Sequence, residues 1–139
     1  MSKYDDKCLE QKTNKKKFVI NSNDSSDKLK IFNSDELVCS IYKVENCLMP
    51  TNSKQCDKLL ETLKNKYFIE FKTNSDFSKG IDQLDNTIET LAKNENVYAI
   101  LACKAIGRAR VSLKNKAERL DNKGIKFKLM PYKNPLNIN

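Results

Sequence analysis

The stretch from Lys66 to Cys103 constrains the fold more than any other part of the sequence. It begins with the apolar and aromatic run KYFIEFK, which is typical of a strand. It ends with the continuous apolar run VYAILAC, which is typical of a buried central strand. Between the two runs, apolar residues at spacings of 4, 3, 4 and 3 predict an amphipathic helix over residues 76–93: Phe77, Ile81, Leu84, Ile88 and Leu91. A helix between two strands favours a crossover, so the sequence predicts an α/β fold with a central mixed β-sheet flanked by helices.

The neighbouring segments extend this arrangement in both directions. The run LVCSIYKV at residues 37–44 is typical of a strand, and residues 56–63 and 66–72 are typical of a hairpin. Apolar residues at helical spacing predict a second helix over residues 106–121, and an apolar run predicts a last strand over residues 125–130. The predicted order is therefore strand, hairpin, helix, strand, helix and strand.

The domain limits follow from polarity. Residues 1–34 are polar and rich in lysine, and we expect them to form a partly disordered N-terminal arm. The α/β domain is expected over residues 35–133. Residues 134–139, which follow the last predicted strand, are expected to form a C-terminal tail.

The composition excludes several classes of site. The chain of 139 residues has no histidine, which excludes His-based catalytic triads and His-ligated metal sites. Its five cysteines are odd in number and include no C-x-x-C pair, so we expect reduced, buried thiols in a cytoplasmic protein. Three glycines without a Gly-rich loop exclude P-loop and dinucleotide sites. No apolar run approaches the roughly 20 residues of a membrane span, so no membrane partner is expected.

Positive charge is concentrated after residue 103. The net charge is +8, and residues 104–139 carry all of the excess, with 10 basic and 2 acidic side chains. A basic segment on a folded element favours a polyanion, most simply nucleic acid. The candidate nucleic-acid-binding residues lie on or just before the second predicted helix: Lys104, Arg108, Arg110, Lys114, Lys116 and Arg119. The alternative is a solvated helix face in a chain that is rich in lysine throughout.

Asp57, Glu70 and Lys72 form the constellation with the clearest chemical meaning. Residues two apart in a strand share a face, so Glu70 and Lys72 point the same way. A two-residue turn at 64–65 pairs residues whose numbers sum to 129, which places Asp57 opposite Lys72 and Leu59 opposite Glu70. This register predicts two carboxylates and an ammonium group on one face of the hairpin.

Such a cluster has two interpretations. Paired carboxylates provide the hard oxygen ligands that Mg²⁺ or Mn²⁺ prefers, and such an ion activates water and neutralises charge on a phosphate. A neighbouring lysine orients the attacking water or stabilises the transition state. The alternative is a surface salt bridge from Lys72 to Asp57 or Glu70, worth ~0–1 kcal/mol. The spacing alone favours neither interpretation.

The run CDKLLETLKNKYFIEFKTNSDFSKGIDQLDNTI resembles the core of the PD-(D/E)XK nuclease superfamily, which has the restriction-endonuclease-like fold. That core places an Asp on one strand, an acid-x-Lys tripeptide on the next strand, and then a helix. The resemblance implies that Asp57 and Glu70 bind a Mg²⁺ or Mn²⁺ ion and that Lys72 assists catalysis. It covers roughly residues 37–103, about half of the chain.

The resemblance also implies two further site residues. Gln83 matches a glutamine that members often place on the following helix, near the active centre. Glu45 is the candidate for an additional metal-binding acid from an earlier element, and Glu36 is an alternative. The chain departs from the superfamily pattern at Cys56, which replaces a proline before the Asp, and in residues 1–36, where no first helix is evident.

Three functions remain open on the sequence. The first is a metal-dependent endonuclease that hydrolyses phosphodiester bonds in DNA, with RNA as the alternative substrate. It is compatible with a homodimer, because duplex cleavage needs two sites, and with a protein partner that supplies specificity. The second is a catalytically inactive nucleic-acid-binding module of the same fold. The third is a protein-interaction role of the immunity or inhibitor type.

Overall fold

A computed structural model describes residues 2–24, 26–72, 76–104 and 113–138. The strands within these residues are β1 Leu9–Thr13, β2 Lys17–Asn21, β3 Lys28–Phe32, β4 Cys39–Lys43, β5 Lys58–Glu61, β6 Lys66–Lys72, β7 Val97–Cys103, β8 Lys126–Pro131 and β9 Leu136–Asn137. The α-helices are α1 Phe77–Leu91 and α2 Lys114–Asn122. A short 3-10 turn precedes β1 at Asp6–Cys8, and a wide turn follows β4 at Val44–Leu48.

Six strands form one mixed sheet in the order β1-β4-β5-β6-β7-β8. β4, β5 and β6 are an antiparallel meander, whereas β6, β7 and β8 run parallel. α1 connects β6 to β7 and packs its apolar stripe on the sheet, as the helical spacing predicts. The α/β class, the mixed sheet and the crossover helix are therefore confirmed. The expected helices on both faces are not found in the described residues, because α1 and α2 pack into the same core and a second sheet covers the other face.

Both faces of the central strands of this sheet are buried. One face, which includes Phe68, packs against α1 through residues such as Ile81. The other face, which includes Ile69, packs beneath a second sheet in the order β2-β3-β9, which contributes Leu29. β6 therefore contributes alternate side chains to two separate cores. Its polar residues lie between the layer formed by α1 and the layer formed by the second sheet.

The described residues of the N-terminal segment contain three strands, where the sequence predicts a partly disordered arm over residues 1–34. β1 pairs with β4 at the edge of the main sheet, and β2 and β3 form a hairpin over its second face. The hairpin folds because its apolar residues alternate and bury one face: Phe18, Ile20, Leu29 and Ile31. The expected tail over residues 134–139 contributes β9, which pairs in parallel with β3. The segments outside the expected limits of 35–133 thus share a core with the rest of the chain.

The β5–β6 hairpin has a different register from the predicted one. Leu59 pairs with Phe68 and Leu60 pairs with Tyr67, so paired numbers sum to 127 instead of 129. The reason is a longer loop over residues 62–65, in which the Thr62 backbone N–H donates to the Asn65 carbonyl at 2.9 Å. A shift of two residues preserves the face of every side chain, so Glu70 and Lys72 still point to the α1 side.

A disulfide joins Cys8 to Cys47, which contradicts the expectation of five reduced thiols. Cys8 is buried against the α1-side core, whereas Cys47 is exposed in the Val44–Leu48 turn. The sequence could not indicate this bond, because it depends on β1 pairing beside β4 and bringing the two residues' Cα atoms to 5.8 Å. Cys39, Cys56 and Cys103 are free and buried, as expected.

The second helix is described only in part. α2 covers Lys114–Asn122, whereas the prediction covers residues 106–121, and Arg108 and Arg110 lie outside the described residues. Among the helices of the described residues, none combines the length and the apolar character needed to cross a membrane.

Candidate active site

The predicted acids and lysine meet at the end of the sheet where β6 ends. Glu70 and Lys72 lie near the carboxyl end of β6, and Asp57 immediately precedes β5 beside it. Lys72 Nζ lies 3.3 Å from Glu70 Oε2. The structure therefore brings Asp57, Glu70 and Lys72 together, at the carboxyl ends of parallel strands, where open α/β sheets generally bind ligands.

The backbone of β6 fixes the Asp57 side chain. Its Oδ2 accepts a hydrogen bond of 2.8 Å from the backbone N–H of Phe71, and the Asp57 backbone N–H donates to the Ile69 carbonyl at 3.1 Å. Asp57 is buried, as is Glu70. Because main chain and side chain are both held, the carboxyl group cannot swing into solvent to recover hydration.

Burial makes both carboxyl groups weaker acids than usual. Burial raises the pKa of Glu70 to about 8, and the neighbouring charge of Asp57 adds to the rise, against the opposing effect of Lys72. Burial also raises the pKa of Asp57, to which the charge of Glu45 contributes in the same direction. In the absence of a cation, the two carboxyl groups therefore retain a proton between them at neutral pH.

The site has more buried acceptors than donors. Glu70 Oε1 is buried and receives no hydrogen bond from an N–H or hydroxyl donor among the described residues. Such an atom is satisfied by a shared proton or by a bound cation. Two adjacent carboxylates fit Mg²⁺, which commonly takes one or two protein carboxylates and completes its shell with water and phosphate oxygens. A group of three or more Asp, Glu or Cys side chains placed to hold a metal is not found among the described residues.

Glu45 is close enough to Asp57 to affect it electrostatically, but it does not complete a three-carboxylate cluster with Asp57 and Glu70. Its Oε1 accepts a hydrogen bond of 3.1 Å from Asn23 Nδ2 in the β2–β3 turn. The backbone N–H of Val44 donates to the Asp57 carbonyl at 3.0 Å, which holds the turn that carries Glu45 beside the site. The alternative candidate, Glu36, lies 4.0 Å from Lys16 in a different region, before β4.

Gln83 contacts the segment before Asp57 through α1. Its Nε2 donates to the Gln55 carbonyl at 3.2 Å, and its Oε1 is buried without a hydrogen-bond partner in the described part of the chain. Gln55 in turn accepts from the Asn46 backbone N–H at 2.5 Å. The sequence did not single out Gln55, and no local pattern marks it, because its contacts join residues from three different segments.

Thr87 provides a second contact between α1 and this segment. Its buried Oγ1 accepts a hydrogen bond of 2.9 Å from the Cys56 backbone N–H and donates to the Gln83 carbonyl at 2.7 Å. α1 therefore holds the residue that directly precedes Asp57.

We expect Thr87→Val to lower the free energy of unfolding by ~1–3 kcal/mol, because the Cys56 backbone N–H would be buried without an acceptor. Urea denaturation followed by circular dichroism measures the change. Thr90→Val is the matched control on the same helix, since the exposed Thr90 hydroxyl only donates to the Asn86 carbonyl. Equal losses for the two variants would contradict a special role for Thr87.

Gly80 allows α1 to lie directly on Lys72. A Cβ atom at this position would lie 2.8 Å from Leu101 Cδ1 and 3.2 Å from Lys72 Cγ, closer than packed carbon atoms approach. The absence of a side chain thus lets the helix cover the aliphatic part of Lys72, which leaves its ammonium group beside Glu70.

The predicted basic helix is partly neutralised. Lys116 Nζ lies 2.8 Å from Asp82 Oδ2, and Arg119 lies 3.7 Å from the same carboxylate, so both pair with α1. Lys104 and Lys114 are exposed. The candidates Arg108 and Arg110 lie outside the residues that the structure describes.

Comparison of the chain with protein families, with curated proteins and with solved structures finds no match. Any assignment of function therefore depends on the geometry of Asp57, Glu70 and Lys72.

Proposed function

We propose that the protein is a metal-dependent nuclease of the PD-(D/E)XK type that hydrolyses phosphodiester bonds in DNA. The observation that carries this proposal is the buried cluster of Asp57, Glu70 and Lys72 at the carboxyl end of β6. The antiparallel meander β4–β6, followed by α1 and the parallel strand β7, agrees with the restriction-endonuclease-like fold that the resemblance implies.

A purely structural salt bridge is a poorer explanation of the cluster. Buried ionic groups that only stabilise a fold are normally fully hydrogen-bonded, since an unsatisfied buried acceptor lowers stability. Here two acids face one lysine, and Glu70 Oε1 has no donor among the described residues. A second buried carboxyl group beside one lysine costs stability by itself, whereas a cation site requires it.

In this proposal the two carboxylates bind the metal and the lysine assists the chemical step. Asp57 and Glu70 would hold Mg²⁺ or Mn²⁺, which when bound supplies charge neutralisation at the scissile phosphate. Lys72, held against Glu70, directs its ammonium group towards the developing charge or orients the attacking water. The Phe71 N–H keeps Asp57 oriented, and Gln83 and Thr87 hold the backbone before it.

The experiment is a cleavage assay on supercoiled plasmid with Mg²⁺ or Mn²⁺, with EDTA as the blank. Lys72→Met is expected to reduce cleavage at least about 100-fold, the usual loss when a charge-stabilising donor is removed. Lys66→Met is the matched control, because Lys66 lies on the same strand, is 20% exposed against 19% for Lys72, and pairs with acids at the opposite end. Equal cleavage by the two variants would refute the assignment.

An inactive nucleic-acid-binding module of the same fold is the second candidate. The Asn23–Glu45 hydrogen bond favours this candidate, because it occupies a carboxylate oxygen of Glu45, the additional acid that the resemblance implies as a metal ligand. This candidate predicts retained DNA binding with no cleavage and no stabilisation by Mn²⁺.

Several finer features belong to the proposal as well. DNA is preferred to RNA, a homodimer would supply the two sites that duplex cleavage needs, and a protein partner would supply sequence specificity.

A cytoplasmic location is also proposed, although disulfides such as Cys8–Cys47 are typical of oxidising compartments. Alkylation of free thiols in freshly lysed cells measures whether this pair is reduced there.

A further inference from the structure

The second sheet presents a basic outer face. Alternation in the β2–β3 hairpin turns its apolar residues towards the core and leaves Lys17, Val19, Lys28 and Lys30 exposed on the other side. The register pairs Val19 with Lys30 and Lys17 with Phe32, so lysine and apolar side chains interleave. We call Lys17, Lys28 and Lys30 the hairpin lysines.

The hairpin lysines are not neutralised within the described part of the chain. None of the three has an acidic partner within salt-bridge distance there, and neither β2 nor β3 contains an acidic residue. α2 differs in this respect, because three of its basic or adjacent residues pair with acids of α1: Lys116, Arg119 and Lys123. Basic residues without internal partners are the ones that attract an external polyanion.

The hairpin leads to the candidate active site. Its turn carries Asn23, which donates to Glu45, and Glu45 is close enough to raise the pKa of Asp57. Lys28 pairs with Asn21 at the strand ends next to this turn, and Lys30 follows about 7 Å further along the strand. A backbone lying along the hairpin would therefore reach the end of the sheet that holds the carboxylates.

We propose that the outer face of the β2–β3 hairpin binds the phosphate backbone of DNA, with the hairpin lysines as its contacts. The inference deepens the proposed function, since it names the surface that brings substrate to the Asp57–Glu70 site. It moves the main contact surface from the basic helix to a segment that composition alone marks as a disordered arm. Lysine contacts to phosphate position the nucleic acid without selecting a sequence.

The test is fluorescence anisotropy of a labelled 20-base-pair duplex, titrated with the full chain in EDTA at 50–200 mM NaCl. Changing all three hairpin lysines to Gln is expected to lower the salt slope by about 2.7, since each phosphate contact contributes about 0.9. We also expect at least a tenfold rise in Kd at 100 mM NaCl. The matched control combines Lys116→Gln, Arg119→Gln and Lys123→Gln, which removes the same charge from α2 and is expected to leave the slope unchanged.

An unchanged slope in the hairpin variant, or an equal fall in both variants, would overturn the proposal. Absence of DNA binding by the unmodified chain at 50 mM NaCl would overturn it too and would favour an acidic protein partner. Thermal melting of each variant checks that the fold is retained. Lys72→Met separates this result from the nuclease proposal, because it should reduce cleavage at least about 100-fold while lowering the salt slope in EDTA by no more than about 0.9, the value of the single phosphate contact that Lys72 can make.

Discussion

Glu70→Gln is expected to stabilise the folded protein at pH 8 while removing the proposed nuclease activity. Burial raises the pKa of Glu70 from an ordinary 4.5 to about 8. Between these values the folded protein keeps a proton that the unfolded chain has released, so the free energy of unfolding falls as the pH rises. The full effect is on the order of 5 kcal/mol; most of it is present at pH 8, it is complete about one unit above, and it is absent below pH 4.

A glutamine resembles the protonated acid and carries no charge to bury. We therefore expect Glu70→Gln to be about 2 kcal/mol more stable than the natural chain at pH 8 and nearly equal to it at pH 5. The gain is smaller than the full effect because Lys72 loses its carboxylate partner. Urea denaturation at the two pH values, in EDTA, measures it.

Glu61→Gln is the control, because Glu61 pairs with Lys66 at the other end of the hairpin and should not show a stabilising effect that grows with pH. Adding Mn²⁺ extends the experiment. Ligand that binds only the folded state raises stability, so Mn²⁺ should stabilise the natural chain at pH 8 more than at pH 6 and should have no effect on Glu70→Gln. A destabilised Glu70→Gln variant at pH 8 would show that the carboxylate is structural.

Reduction of the Cys8–Cys47 disulfide is expected to lower the free energy of unfolding by about 4 kcal/mol. The bond joins residues 39 positions apart, and this figure follows from the chain entropy that such a loop regains in the unfolded state. For a chain of this size the loss corresponds to a fall in Tm of roughly 10–20 °C. Cys47 is exposed, so dithiothreitol can reach it without unfolding.

Thermal melting with and without dithiothreitol measures the effect. The double variant Cys8→Ser, Cys47→Ser is the control, and its Tm should equal that of the reduced protein and not respond to reductant. A Tm that reductant leaves unchanged in the natural chain would show that the bond does not hold the fold together. Loss of the bond also removes one of the links that hold the Val44–Leu48 turn, which carries Glu45 and packs beside Asp57.

The sequence predicts the central part of the fold because its patterns there are local. The period-3.6 stripe of α1 and the apolar runs of β6 and β7 each lie within one element, and the structure contains all three. The shared face of Glu70 and Lys72 also follows from strand alternation alone. The predicted face is correct despite the error in register, because the register differs by two residues and side chains two apart in a strand point to the same face.

The parts that sequence reasoning misses depend on contacts between distant segments. KLKIF is read as a short strand and KFVIN contains a short apolar run, but their pairing as a hairpin is not predicted, because the polar composition around them favours an arm. The disulfide needs the β1–β4 pairing, and the pairing of Lys116 with Asp82 needs α2 to pack beside α1. Gln55 likewise gains its role only when α1, the Val44–Leu48 turn and β5 are assembled.

The parallel pairing of β3 with β9 has a consequence for biosynthesis. Ile31 pairs with Leu136, so the second sheet cannot be completed until more than a hundred further residues have been made. At about 5–20 residues per second, the β2–β3 hairpin waits roughly 5–20 s for this partner. During that interval its apolar side lacks the cover that Leu136 and Ile138 later provide. A nascent chain therefore carries the β2–β3 hairpin with part of its apolar side uncovered until residues 136–138 have been made.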